Sequence, residues 1–170
     1  MRERKFLLIA LFCVGIISCV KQAPQLPSNK VIEKNNDNAA LLRINSNLTK
    51  QEDSILAIIA QKKGSFKKNN IGFWYHIFKT GKGNLVTDST QCKFDYQLFK
   101  INDKLIHSGQ KTIVIGKKQS IVGLEEGLKM MHKGDSATFI IPWYLAYGMT
   151  GESDLIQPYT SLIYKVKLNN

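Results

Sequence analysis

The chain has 170 residues, 44% of them hydrophobic and 22% charged, which leaves room for one packed domain and a tail. Its net charge is +11, but the lysines are scattered as pairs (Lys62-Lys63, Lys67-Lys68, Lys117-Lys118) with no basic helix or long run. That scatter reads as a solvated surface and argues against nucleic acid as a partner, leaving anionic lipid or an acidic polymer as what the charge would favour.

Met1 to Lys5 is basic, Phe6 to Ile17 is almost entirely apolar, and Ser18-Cys19 follows. These are the three regions of a signal peptide, and the apolar run falls short of the roughly 20 residues a membrane-spanning helix needs. Ile16-Ile17-Ser18-Cys19 resembles the bacterial lipobox, in which cleavage precedes the cysteine and its thiol carries diacylglycerol. The expectation is a signal peptide over 1–18 and a lipidated Cys19, with a bilayer as partner, because several acyl chains anchor where one is marginal. The protein would then lie in the bacterial cell envelope, facing the periplasm. Cys13 falls in the apolar run, so only Cys92 would stay a thiol, and no intrachain disulfide could form. Cys92 sits in an alternating stretch and is expected to be a small buried side chain.

Pro24, Pro27 and several Asn, Gln and Lys make 19–48 read as a flexible tether. A short helix and linker are expected over 49–71. Thr49 with Glu52 forms a capping box, Ile55, Ile58 and Ile59 an apolar stripe, and Gly64 a stop. So short a helix needs a surface to dock on: the following domain, a second copy of the chain, or an envelope partner.

From Gly72 the apolar period changes from 3.6 to 2. Phe73 to Lys79 is rich in aromatic and β-branched residues, and Cys92, Phe94, Tyr96 and Leu98 alternate with polar residues. Thr112 to Ile115 reads as a short strand. Ala137, Phe139 and Ile141 alternate with Ser136 and Thr138, and Leu162, Tyr164, Val166 and Leu168 with Lys165 and Lys167. One helix interrupts them: Leu124, Leu128 and Met131 point inward, Glu125, Glu126 and Lys129 outward, with Gly134 as the stop. The fold class is α+β, an antiparallel twisted sheet wrapped over one short helix.

Three stretches carry a family resemblance over 72–170. Ile121-Val122-Gly123-Leu124-Glu125-Glu126-Gly127-Leu128, Ile141-Pro142-Trp143-Tyr144-Leu145-Ala146-Tyr147-Gly148 and Ser161-Leu162-Ile163-Tyr164-Lys165-Val166-Lys167-Leu168 resemble successive motifs of FKBP-type peptidyl-prolyl cis-trans isomerases. The lipobox, the helix Glu52 to Ala60 and Gly72-Phe73-Trp74-Tyr75 are also similar to the gliding-motility-associated FKBP lipoproteins of Bacteroidetes. The resemblance implies rotation about X–Pro bonds in proline-containing segments of exported proteins, with no cofactor and no metal. It implies catalytic roles for Tyr96 as a pocket wall, for the backbone N–H of Ile121 and for the Tyr147 hydroxyl. Leu124 would form the floor, Ile156 the covering loop and Tyr164 the closing wall.

Two departures stand out. The family's Phe-Asp pair aligns with Ile106-His107, which keeps the apolar wall but loses the ring and the fixed negative charge. A further apolar pocket position aligns with Lys111. By pattern alone Tyr96, Leu124, Ile156 and Tyr164 would also serve as ordinary core side chains. The competing reading is therefore a weak or inactive FKBP-like binding module or chaperone in an envelope complex such as gliding or secretion machinery. Its partner would dock through the Ile55/Ile58/Ile59 helix. Hydrolase and nucleotide chemistries lack their motifs, and His76, His107 and His132 lack metal-ligand spacing.

Overall fold

The computed structural model describes residues 30–79 and 81–170. The expected signal peptide and Cys19 lie outside them. Residues 42–170 form one compact unit, and it holds the sheet.

Helix α1 runs Lys30–Lys63 and stops at Gly64, whose φ of +120° suits a residue without a Cβ. This helix is far longer than the capping box implied. Thr49 lies inside it and donates its hydroxyl to the Asn45 carbonyl at 2.9 Å, a back-bond to the preceding turn in place of an N-cap. The tether expected over 19–48 is likewise helical from residue 30.

Among the described residues, six strands form one antiparallel sheet: β1 (Lys67–Lys68), β2 (Trp74–Lys79), β3 (Gln91–Lys100), β4 (Leu105–Val114), β5 (Ser136–Ile141) and β6 (Leu162–Leu168). Their order is β1-β2-β5-β6-β3-β4. β4 is longer than the Thr112–Ile115 strand expected. It is an edge strand with most of its residues exposed, so polarity hid its first half from any apolar pattern.

Helix α2 (Val122–Leu128) covers the inner face. Leu124, Leu128 and the following Met131 are buried there with Phe73, Phe94, Phe139 and Cys92. The approach is close: a Cβ on Gly127 would lie 2.8 Å from the Phe139 ring, so glycine sets how near α2 comes to β5. Glu125 was expected to face solvent, but it is buried and accepts the Gly116 and Ser120 N–H groups at 3.0 and 3.1 Å. The carboxylate thus satisfies two backbone donors in the loop before α2.

The outer face is covered too. Leu56 and Ala60 of α1 pack on Trp74, Ile140 and Ile163 in a second apolar cluster. The stripe expected to dock is displaced from that contact. Ile55 and Ile58 are 48% and 53% exposed, Ile59 only borders the cluster, and Leu56 makes the contact in their place. Successive strand residues therefore serve opposite cores, Phe139 and Tyr164 inward, Ile140 and Ile163 outward.

Candidate functional site

Strand alternation sends Phe94, Tyr96 and Leu98 of β3 to the inner face. In register on β4 they meet Lys111, Gly109 and His107, and Leu98 meets Tyr164 on β6. Beyond the reach of α2 this face is left open as a cavity of about 240 Å³. Leu124 at the start of α2, Tyr147 in the turn after β5 and Ile156 in the next loop complete its wall.

The cavity gathers Tyr96, Ile106, His107, Leu124, Tyr147, Ile156 and Tyr164, which lie far apart in the chain. Lys111 also lines it, at the position where the resemblance implies an apolar side chain. Ile121 is not part of the lining. It is the N-cap of α2 and largely buried, and its carbonyl accepts the Leu124 and Glu125 N–H groups at 3.1 Å. Among the described residues its own N–H has no intramolecular acceptor.

Hydroxyls dominate the polar side of the pocket. The Tyr96 hydroxyl lies 3.0 Å from His107 Nδ1, with the two rings stacked at 5.7 Å. Tyr96 and Tyr164 have ring centroids 6.0 Å apart. Tyr147 shares the cavity wall with Tyr164 and Glu152. Burial raises the Tyr147 pKa above the usual phenol range, and the neighbouring Glu152 carboxylate raises it further against a hydrogen bond from Tyr164 that lowers it. Burial likewise raises Tyr164, with Tyr147 beside it adding to the effect. Both phenols therefore stay protonated donors through neutral pH.

Sequence reasoning missed Phe94, Leu98, Ser120, Glu152, Ser153 and Leu155 in the lining. Phe94 and Leu98 share the strand parity of Tyr96, a signal that was there to use. Ser120 directly precedes Ile121. Glu152, Ser153 and Leu155 lie in a loop without periodicity, where no pattern marks which side chains turn inward.

A protein-family model for FKBP-type peptidyl-prolyl cis-trans isomerases matches residues 82–169. The probable FKBP-type peptidyl-prolyl cis-trans isomerase FkpA of Neisseria meningitidis serogroup B is 31% identical over 109 residues, 62% of this chain and 40% of that protein. FkpA of Buchnera aphidicola subsp. Acyrthosiphon pisum is 28% identical over 145 residues, 82% of this chain and 59% of that protein. The chain thus spans about half the length of these curated relatives. In fold it is similar to a peptidyl-prolyl cis-trans isomerase from Pseudomonas syringae pv. tomato, with a TM-score of 0.62 at 22% identity, covering 74% of this chain and 93% of that one.

Proposed function

The chain belongs to the FKBP-type peptidyl-prolyl cis-trans isomerase family, and from that premise we propose that it isomerises X–Pro bonds in exported proteins while held at a bacterial envelope membrane through Cys19. The observation that carries this reading is the cavity itself: an apolar floor at Leu124, apolar walls at Ile106 and Ile156, and phenol donors from Tyr96, Tyr147 and Tyr164. Rotation about an X–Pro bond must cross a barrier of roughly 18–20 kcal/mol set by amide resonance. A pocket that strips water from the amide and binds its twisted, less conjugated form better than the planar one lowers that barrier. No nucleophile is needed. The proline ring would sit on Leu124, a carbonyl would take the Ile121 N–H, and the Tyr147 hydroxyl would hold the flanking chain.

His107 and Lys111 favour a second reading, a binding module with weak turnover that serves an envelope assembly such as gliding or secretion machinery. His107 gives Tyr96 an imidazole partner in place of a carboxylate, and Lys111 brings an amine to the wall beside Phe94 on β3. The membrane placement rests on the basic, apolar and Ser18-Cys19 order of the first residues. The deciding experiment follows cis-to-trans conversion of Leu-Pro and Phe-Pro peptides by the full chain in mild detergent. Rates above background that fall in Tyr147→Phe support catalysis. Peptide binding without acceleration supports the module. Labelling of the wild type, but not of Cys19→Ser, with a palmitate analogue in a bacterial host tests the anchor.

A further inference from the structure

The turn carrying Tyr147 is tied through the sheet's end to a helix on the other face. Trp143–Leu145 forms one 3-10 turn after Pro142, and the Trp143 carbonyl accepts the N–H groups of Ala146 and Gly148 at 3.1 and 2.9 Å. Those two residues bracket Tyr147. The Trp143 N–H is bonded in turn to the Ser161 hydroxyl oxygen at 2.9 Å, and that buried hydroxyl donates to the Glu52 carboxylate of α1. Next to Glu52, the Asp53 carboxylate accepts the Tyr144 hydroxyl at 2.6 Å. Burial beside Asp53 raises the Tyr144 pKa, so this phenol remains a donor.

We propose that Glu52 and Asp53 are positioning residues for the Tyr147 turn, so that α1 is part of the pocket's machinery as well as a cover for the outer face. The inference rests on the isomerase reading for its consequence in rate, but its geometry stands apart from it. Two adjacent carboxylates grip two side chains three residues before pocket tyrosines: Tyr144 before Tyr147, and Ser161 before Tyr164. Hydrogen bonds to charged acceptors are stronger than neutral ones, and a partly buried setting strengthens them further. Leu56 supplies α1 with its apolar contact one turn farther along, so packing and positioning can be separated by mutation.

The test compares Glu52→Ala/Asp53→Ala with Glu52→Gln/Asp53→Asn, whose side-chain carbonyls still accept from Ser161 and Tyr144. Leu56→Val is the control that loosens α1 without touching the relay. Amide exchange at Ala146 and Gly148 is read by NMR, and kcat/KM is measured on a Leu-Pro peptide with the full chain. The alanine pair should speed exchange at both amides and lower kcat/KM by about five- to tenfold, as for a lost hydrogen bond or two, and the amide pair should restore both. Exchange and rate in the alanine pair no different from Leu56→Val would overturn the proposal and leave α1 as packing alone. A wild type without isomerase activity would remove the isomerase reading, while exchange at Ala146 and Gly148 still decides whether the carboxylates order the turn.

Discussion

The two faces of the sheet are both buried, yet they are built differently. The inner face holds Phe73, Phe94, Phe139, Leu124, Leu128 and Met131, each fully or almost fully removed from solvent. It stops short of covering itself completely and leaves the tyrosine-lined cavity beside α2. The outer cluster is smaller, with Leu56 and Ala60 laid on Trp74, Ile140 and Ile163, and polar bonds reinforce it. Glu52 and Asp53 reach past the apolar contact to Ser161 and Tyr144, and Lys68 bonds Asp53 at 3.2 Å. The inner face is thus held by volume, the outer by a modest apolar contact plus directional bonds. Stability and function should separate along that line.

Two truncations test it at full strength. Phe139→Ala empties the centre of the inner core, where the ring meets Phe73 edge-on at 6.0 Å and α2 at Gly127. It should cost about 3–5 kcal/mol, read as a lower midpoint in urea denaturation. Leu56→Ala on the outer face should cost less, about 2–3 kcal/mol, because α1 can settle onto Ala60 and its carboxylate bonds. Equal losses from the two would mean that the outer cluster is as much a core as the inner one, and would break the contrast.

Much of the inner face was legible in the sequence. Period-2 alternation in β3, β5 and β6 marks which side chains turn inward, and the spacing of Leu124 and Leu128 marks the covering helix. What was not legible is the second burial of the same strands. Ile140 and Ile163 read as out-facing residues of half-buried strands, and nothing local announces that α1 will cover them. The helix itself misled in two ways. Its strongest apolar spacing, Ile55 with Ile58, is not the face that docks, because backbone placement and the carboxylate bonds turn Leu56 and Ala60 toward the sheet. It begins well before Thr49, and Thr49-Glu52 has the composition of a cap while sitting within a continuous helix. Of the pocket, Tyr96 and the motif residues were legible, while Phe94 and Leu98 on the same strand were passed over despite sharing its parity. The loop residue Glu152 was not legible, since an irregular segment carries no period.

The open part of the inner face predicts a dependence on alkaline pH. Burial raises the pKa values of Tyr147 and Tyr164 in the folded chain above the ordinary 10.0. A raised folded pKa means that their contribution is complete below about pH 10, the unfolded phenol value, and is lost as pH rises through the folded values. Stability against urea should therefore decline as pH rises above about 10, and Tyr164→Phe should flatten the decline. A decline unchanged in Tyr164→Phe would assign it to other groups. At neutral pH Tyr147→Phe should leave stability nearly intact but slow Leu-Pro isomerisation about fivefold, the value of roughly one hydrogen bond.

The smallest expected effect is on the exposed side of α1, and it sharpens the comparison most directly. Ile55→Ser and Ile58→Ser remove apolar groups that are already half in water, from a helix whose docking contact lies at Leu56 and Ala60. Each should change unfolding free energy by no more than about 0.5 kcal/mol, aside from serine's slightly poorer helix propensity. The same serine replacements in a helix that used this face for docking would cost several times more. A large loss that grows with protein concentration would show that a second copy covers Ile55 and Ile58. A large loss independent of concentration would show that the sheet contacts them in solution. A negligible loss leaves this face free for a partner and confines the work of α1 in the fold to Leu56, Ala60 and the two carboxylates.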